Sequence, residues 1–399
     1  MRILISKKRF LFLLLAQLNI LVFAQQRKTV TEILSGADNT ESYLQLIRNS
    51  AVAIVTNQTG VIGNKTHIVD SLLTRGINVK KIFAPEHGFR GVADAGEHLK
   101  SGKDKRTGLP IVSLYGKNYK PNAADLQDVD VVLFDIQDVG ARFYTYISTL
   151  HYVMEACAEN NKQLIVLDRP NPNGFYIDGP VLEEKNKSFV GMHPVPIVYG
   201  MTIGEYAKMI NGEEWLANKM KCNLIVIPLT NYSHSDLYEL PIKPSPNLPN
   251  NTAIYLYPSL ALFEGTNVSV GRGTNFPFQV VGKPGLKKMK FSFTPISTQG
   301  AKEPMHKNIK CYGYDLRSDT TAVSSRKINL FWLMESYKLS VEKEKYFNNY
   351  FNSLAGNATL KQQVIDGVSE ENIRKSWEGD LQKFKQIRKK YLLYDDFKE

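Results

Sequence analysis

The feature that most constrains the fold is a series of short apolar runs, each followed directly by polar residues and glycine. The four runs in the first half of the chain are 51–55, 81–84, 131–134 and 164–167. Nearly continuous apolar runs are typical of strands buried on both faces of a parallel sheet. Residues 146–160, between the last two runs, repeat apolar side chains at helical spacing. The pattern therefore predicts an α/β domain with a mostly parallel sheet.

The predicted alternation of strands and helices also indicates where a functional site would lie. Right-handed crossovers place the carboxyl ends of all parallel strands at one edge of the sheet, where open α/β sheets bind their ligands. Glu86, Asp135, Asp138 and Asp168 each follow one of the runs closely. We expect these four carboxylates to lie along one rim.

Domain organisation follows from length and from a proline-rich segment. A chain of 399 residues with 43% apolar residues has room for about two domains. Residues 241–249 contain four prolines and can form neither a helix nor an inner strand. We place the boundary just beyond this segment, with an α/β domain over 25–252 and a smaller α+β domain over 253–399.

Residues 1–24 have the pattern of an export signal. Four basic residues precede the apolar run 10–15, and Ala24 ends a plausible cleavage site. Gln17 and Asn19 interrupt the apolar segment, which favours a cleaved signal over a stable membrane insertion. We expect a periplasmic or extracellular protein whose formal charge falls from +11 to +7 on cleavage, a balance that suits an anionic cell-envelope substrate.

The cluster after the second run is the most distinctive candidate site. Glu86, His87 and Arg90 lie within five residues, between glycines that allow a close approach of the backbone to a ligand. Glu86 is either an ion-pair partner of Arg90 or, among its aromatic neighbours, a general acid. His87 is a functional candidate because it lies beside Glu86.

Other residues have competing interpretations. Asp135, Asp138 and Arg142 form either a catalytic group or a structural ion-pair network, and we expect at least one of them to be purely structural. Tyr144 and Tyr146 either stack on a sugar or pack in the core.

Several classes of protein are excluded or disfavoured by the sequence. It contains no phosphate-binding loop, dinucleotide fingerprint, nucleophile elbow or zinc-ligand spacing, so we predict no cofactor and no metal ion. His193 and His234 are expected at the surface. The basic residues near the end of the last helix are interpreted as a solvated face that complements the helix dipole, so no nucleic acid is expected as a partner.

Taken together, the long motifs of this chain resemble those of the NamZ family of exo-acting β-N-acetylmuramidases. They are residues 84–91, 134–146, 168–174, 244–247, 262–267 and 271–274, and they extend over nearly the whole mature chain. The resemblance implies a Rossmann-like N-terminal domain, a smaller C-terminal domain, an active-site cleft between them, and Glu86 as the catalytic acid.

The implied activity is release of N-acetylmuramic acid from the non-reducing ends of peptidoglycan fragments. The catalytic candidates are Glu86, His87, Asp135 and Asp138. The substrate-binding candidates are Arg90, Gln137, Arg142, Tyr144, Tyr146, Asp168, Arg169, Asn171, Asn173, Asn247, Glu264, Asn267 and Arg272. Asp135, Asp138, Glu264 or the substrate's own acetamido group could assist at the anomeric carbon.

Two alternatives to this activity remain from the residues alone. An exported sugar- or muropeptide-binding protein would share the signal and the cleft. A metal-dependent amide hydrolase could use His87 with Asp135 and Asp138.

Overall fold

The structure, a computed structural model, describes residues 32–63, 65–90, 102–286 and 288–398. The predicted signal peptide, residues 1–24, lies outside the described residues. Within the described part of the chain, no helix is both long and apolar enough to cross a membrane.

The described residues form twelve strands and eleven α-helices. The strands are β1 (Ala51–Thr56), β2 (Val61–Ile62), β3 (Thr66–His67), β4 (Asn78–Ala84), β5 (Gly102–Lys103), β6 (Pro110–Ser113), β7 (Val131–Asp135), β8 (Gln163–Leu167), β9 (Asn223–Ile227), β10 (Val280–Lys283), β11 (Phe291–Phe293) and β12 (Cys311–Asp315). The helices are α1 (Thr40–Ile47), α2 (Ile68–Thr74), α3 (Ala123–Leu126), α4 (Tyr146–Glu159), α5 (Ile203–Gly212), α6 (Asn251–Leu260), α7 (Thr321–Ser325), α8 (Phe331–Leu339), α9 (Phe351–Ala355), α10 (Thr359–Ile365) and α11 (Glu370–Arg388). Single 3₁₀ turns occur at Glu184–Asn186, Ala217–Lys219, Ala261–Gly265 and Lys343–Lys345.

The main sheet has seven strands in the order β5-β6-β4-β1-β7-β8-β9. Every neighbouring pair is parallel except β5 with β6. Without β5, this is the strand order of a Rossmann-like doubly wound sheet, and the order reverses between β1 and β7. The four apolar runs are β1, β4, β7 and β8, as predicted. Three of these, β1, β7 and β8, are buried almost throughout because helices or loops cover both faces of the sheet.

Helix α4 also follows the predicted pattern. Ile147, Leu150, Val153, Met154 and Cys157 are each at most 1% exposed. Their spacing of three or four residues places them on one side of the helix, which packs against the sheet. The helix begins directly after the loop that leaves β7, so its first turn lies at the carboxyl edge of the sheet.

The C-terminal part contains a second, antiparallel sheet in the order β10-β12-β11, together with helices α6 to α11. It shares one apolar core with the main sheet: Phe134 and Ile147 belong to the same buried cluster as Leu260, Trp332 and Trp377. From Leu34 onward the chain is one compact unit. The proline-rich segment 241–249 is neither helical nor extended in a sheet, as predicted, and it packs into this unit.

The prediction that His193 and His234 lie at the surface was wrong. His193 is 2% exposed and His234 is fully buried. The ring nitrogens of His193 lie 2.9 Å from Nδ1 of His151 and 3.0 Å from the Tyr206 hydroxyl. The Nε2 atom of His234 lies 3.0 Å from a carboxylate oxygen of Glu205. Partners distant in sequence pair with both nitrogens of His193 and with Nε2 of His234, whereas Nδ1 of His234 has no partner among the described residues. No local sequence pattern signals such partners.

Candidate active site

A cavity of about 270 Å³ lies at the carboxyl ends of β4, β6 and β7. Both parts of the chain contribute to its wall. The lining residues are Glu86, His87, Tyr115, Phe143, Tyr144, Thr145, Phe189, Val190, Ser245, Leu248, Tyr257, Glu264, Arg272, Phe278 and Tyr350. The wall therefore combines two carboxylates and one guanidinium with seven aromatic rings besides the imidazole, a composition suited to a sugar.

Glu86 reaches this cavity because β4 ends in a tight turn. The amide of Gly88 donates a 2.9 Å hydrogen bond to the carbonyl of Pro85. His87 and Gly88 both have left-handed backbone conformations, with φ of 67° and 76°. Glycine adopts this conformation freely, but His87 does so at a cost in free energy, a kind of strain that concentrates at functional sites.

Two hydroxyl groups contact the Glu86 carboxylate. Thr145 Oγ1 donates a 2.7 Å hydrogen bond to Glu86 Oε2. Tyr115 also forms a side-chain hydrogen bond with Glu86; burial, and then the nearby Glu86 charge, raise the pKa of Tyr115, so its phenol stays protonated. Glu86 is thus half-buried and held in place by donors from β6's exit and from the start of α4.

Thr145 is positioned by the loop between β7 and α4. It is the N-cap residue of α4, yet its side chain makes no capping hydrogen bond, because its hydroxyl is directed to Glu86. Gly140 allows this loop to pack closely: it has φ of 75°, and a Cβ there would lie 2.2 Å from the Asn171 side chain. The first turn of α4, where backbone N–H groups are unpaired within the helix, therefore lies beside the carboxylate.

Glu264 and Arg272 form the opposite, C-terminal side of the cavity. Glu264 lies in the 3₁₀ turn Ala261–Gly265, and its Oε1 accepts hydrogen bonds of 2.9 and 2.7 Å from Nε and Nη2 of Arg272. The Arg272 guanidinium lies 5.0 Å from the centroid of the Phe278 ring. Burial opposes the charge on Arg272, but the Glu264 carboxylate outweighs it and raises the pKa of the guanidinium.

Two phenols, the buried Tyr257 and the more exposed Tyr350, lie near both carboxylates. Burial raises the pKa of Tyr257 and of Tyr350, and the charges of Glu264 and Glu86 raise both pKa values further. Glu86 and Glu264 line the same cavity as these two phenols, so the carboxylates face a common space.

Of the seventeen residues predicted for the site, five line this cavity. They are Glu86, His87, Tyr144, Glu264 and Arg272. The other twelve belong to the framework around it or lie outside it.

Asp135 is held by Arg169, a predicted substrate-binding residue. Arg169 donates 2.6 and 3.0 Å hydrogen bonds from Nε and Nη2 to the two carboxylate oxygens, and Nη2 also donates to the carbonyl of Val61 at 3.0 Å. Both side chains are at most 5% exposed. This buried pair joins the exits of β7 and β8 to β2.

Asp138 is also buried and accepts hydrogen bonds from the Gly140 amide and the Tyr199 hydroxyl. Its Oδ1 has no hydrogen-bond partner among the described residues, and burial raises the pKa of Asp138 to about 6. Neither Asp135 nor Asp138 lines the cavity with His87, so the three do not form the cluster that the metal-hydrolase alternative requires. Within the described residues, no three His, Cys, Asp or Glu side chains are arranged to hold a metal ion.

Arg142 connects the two parts of the chain. Its Nη1 donates to the carbonyls of Pro180 and Val195 at 2.8 Å, and its Nη2 donates to those of Leu354 and Ala355 at 2.9 and 2.8 Å. It is fully buried, and burial lowers the pKa of Arg142 to about 9.

Four further predicted residues hold the β7 and β8 loops in place. Gln137 donates to the carbonyls of Asp138 and Pro170, and Asn171 to that of Met201. Asn173 donates to the carbonyls of Val139 and Ile254. Asp168 accepts from the hydroxyls of Thr202 and Tyr394 and from the amide of Gly204.

The remaining four predicted residues make other contacts. Tyr146 accepts a hydrogen bond from Asn57 at the exit of β1. Asn247 donates to the carbonyl of Gly300, and Asn267 accepts from Lys283. Arg90 is exposed and forms an ion pair with Asp104 at 2.8 Å, not with Glu86.

Ten of the fifteen lining residues were not among the predicted site residues, and three of them illustrate why. Tyr115 follows β6, a four-residue strand too short to stand out, although its aromatic-glycine exit resembles the other strand exits. Thr145 lies inside a recognised motif but was not singled out. Tyr350 is contributed by the turn before α9, and nothing in its local sequence indicates a site.

The doubly wound fold and the carboxylate-bearing cavity define a class of α/β protein built to bind and act on a small polar ligand. Models of the two domains described as exo-beta-N-acetylmuramidase NamZ match residues 52–252 (N-terminal domain) and 255–394 (C-terminal domain). The chain belongs to the NamZ family.

Similar proteins support this assignment over nearly the full length. The peptidoglycan beta-N-acetylmuramidase NamZ of Bacillus subtilis is 38% identical over 377 residues, which cover 88% of this chain and 89% of that protein. A crystal structure of a DUF1343 family protein from Bacteroides fragilis has a TM-score of 0.85 at 45% identity and covers 92% of this chain and 100% of that one. A second DUF1343 protein from the same organism has a TM-score of 0.78 at 30% identity, covering 91% of this chain and 99% of that one.

Proposed function

We propose that this protein is an exo-acting glycoside hydrolase that releases N-acetylmuramic acid from the non-reducing ends of peptidoglycan fragments during cell-wall turnover. Family membership and the named Bacillus subtilis relative support this assignment. The structural observation that carries it is Glu86, a carboxyl group held by two hydroxyl donors in an aromatic-lined cavity. The cavity volume, about 270 Å³, is near the lower end for small-ligand pockets, which suits a single terminal sugar.

Glu86 has the role of general acid. It protonates the departing glycosidic oxygen while positive charge develops at the anomeric carbon, as in most glycosidases. The hydrogen bond from Thr145 to Oε2 helps to orient the carboxyl group for this proton transfer. The aromatic walls exclude water and provide faces for the sugar ring.

Glu264 is the second carboxylate of the reaction. Asp135 and Asp138, the other candidates, are bound by Arg169 and by Tyr199 and do not line the cavity. Arg272 occupies Oε1 of Glu264 and leaves Oε2 to act on water or on the anomeric carbon. If the substrate's acetamido group performs this step instead, a muramic acid thiazoline, which mimics the cyclised intermediate, should inhibit tightly; weak inhibition would favour Glu264.

The decisive experiment uses purified protein and muropeptides with defined ends. Early products should be single N-acetylmuramic acid units, together with fragments shortened by one sugar. A ladder of internal fragments from end-capped chains would show endo cleavage instead. Saturable binding without turnover would favour the sugar-binding alternative.

We also propose that the protein is exported and acts in the periplasm or outside the cell. The basic and apolar segments of residues 1–24 support this proposal. N-terminal sequencing of the protein from its own host should find Gln25 as the first residue. Recovery of the uncleaved chain from the cytosol would contradict it.

A further inference from the structure

We infer that Arg272 binds the lactyl carboxylate of the sugar with the edge of its guanidinium that Glu264 leaves open, and thereby selects muramic acid over glucosamine. This inference rests on the proposed function, because it concerns which terminal sugar the same cavity accepts. The two sugars differ by a lactyl ether bearing a carboxylate, so discrimination by binding needs a cation in the pocket.

The geometry of the guanidinium leaves room for a second anion. Nε and Nη2 both donate to one oxygen of Glu264, so the ion pair uses only the side edge of the group. The end edge, formed by Nη1 and the second hydrogen of Nη2, makes no hydrogen bond to the described residues. An open end edge matches a carboxylate in two parallel hydrogen bonds. The side chain of Arg272 is 24% exposed and lines the cavity, so a ligand can reach it.

The other candidate arginines are bound elsewhere. The two terminal nitrogens of Arg142 donate to four carbonyls, Arg169 pairs with both oxygens of Asp135, and Arg90 pairs with Asp104. None of these three lines the cavity. Among the lining residues, Arg272 is the one guanidinium or ammonium group.

The backbone around Arg272 is fixed. Gly271 and Gly273, on either side, have φ of 80° and 79°. A Cβ at either position would lie 2.5 Å from neighbouring atoms, of Val280 at the first and of Ile296 at the second. This close packing and the Phe278 ring 5.0 Å from the guanidinium hold the plane of the group before substrate binds. Such preorganisation lowers the entropy cost of binding the carboxylate.

The charges of the cavity are compatible with an anionic substrate in the productive complex. Its carboxylates are Glu86 and Glu264, against one guanidinium. A general acid carries its proton when the substrate is bound, so the remaining pair, Glu264 with Arg272, is close to neutral. The substrate carboxylate then contacts the open edge of the Arg272 guanidinium, and the charged groups of the cavity wall have no net negative charge.

The test is a thermodynamic cycle that combines a substitution in the enzyme with a chemical change in the substrate. The substrates are the 4-nitrophenyl β-glycoside of N-acetylmuramic acid and its lactamide, in which a neutral amide replaces the carboxylate. Wild-type kcat/KM should favour the acid by roughly 10- to 100-fold, the range expected for a charged hydrogen-bonded pair. Arg272→Met should reduce this ratio to near one, and Arg272→Lys should leave an intermediate ratio because it keeps the charge without the fork.

Arg90→Met is the matched control and should keep the wild-type ratio. An unchanged ratio in both Arg272 variants would overturn the inference even if both lost activity, since such loss would come from disturbing Glu264. If Arg272→Met does not fold, the substrate ratio measured for Arg272→Lys tests the inference. If wild-type enzyme cleaves the two substrates equally, the inference alone fails; if it cleaves neither and releases no sugar from muropeptides, the proposed function fails.

Discussion

Thr145 and Glu86 are joined by a 2.7 Å hydrogen bond between residues 59 positions apart in the sequence. The bond connects the turn after β4 to the N-cap residue of α4, which follows β7. In the sheet, only β1 separates β4 from β7, so the ends of these two strands lie close together. The hydrogen bond gives one oxygen of the carboxyl group a fixed partner, and so orients the group toward the cavity.

Glu86→Gln should abolish turnover and leave the fold intact. The amide is nearly isosteric and can still accept from Thr145, but it cannot supply a catalytic proton. We expect kcat to fall by about 10²–10⁴-fold with little change in Tm. Activity within a few-fold of wild type would remove Glu86 from the mechanism.

Thr145→Val should lower kcat with a smaller effect on KM, because the valine keeps the shape of the side chain and loses the donor. The loss of one hydrogen bond to a charged group predicts a decrease of roughly 10- to 100-fold. Thr74→Val is the control: its hydroxyl bonds a helix carbonyl and does not line the cavity. Equal effects of the two variants would mean that Thr145 has no special role in orienting Glu86.

Arg142→Met should destabilise the protein, not alter its specificity. The change removes a hydrogen bond from each of four buried carbonyls, at 180, 195, 354 and 355, of which the carbonyl of residue 195 keeps the amide of Leu182 as a donor. We expect the free energy of unfolding to fall by about 2–4 kcal/mol, measured by denaturant titration. Arg90→Met removes one ion pair, from an exposed side chain to the buried Asp104, which keeps its hydrogen bonds from Thr107; it should cost less, about 1 kcal/mol. Similar small losses of unfolding free energy in both variants would contradict the structural role of Arg142.

The buried pair of His151 and His193 should make stability depend on pH. Burial lowers the pKa of His151 to about 4 and lowers that of His193 as well, so both stay neutral in the fold. Between about pH 6.5 and pH 4 the unfolded chain binds protons that the folded protein does not. Stability from this source is therefore complete above pH 6.5 and is lost as the pH falls, by about 3 kcal/mol for His151.

His151→Gln isolates this contribution. Burial raises the pKa of Asp138 and of Asp168 to about 6, which has the opposite sign and stabilises the fold as the pH falls toward 4. The difference between wild type and variant cancels these shared terms. Unfolding free energies measured at several pH values should show a shallower loss on acidification for the variant, and parallel curves would contradict the assignment.

The sequence by itself determined the sheet and the position of its functional edge. The apolar runs that became β1, β4, β7 and β8 are local patterns, and local patterns report burial on both faces without knowledge of the partner strands. Glu86 could be singled out for the same reason, because its turn follows one of these runs directly. The motif resemblance then indicated the family.

Only the tertiary structure decided which polar residues face the cavity. Asp135, Asp168 and Glu264 are all carboxylates in recognised motifs, yet the first is paired with Arg169, the second binds Thr202 and Gly204, and only Glu264 lines the cavity. Arg142 illustrates the reason: two of its acceptors lie more than 200 positions away in the sequence. A local motif looks the same whether its charged side chain is buried or exposed to the cavity. The role of that side chain depends on partners that the fold brings to it from distant parts of the chain.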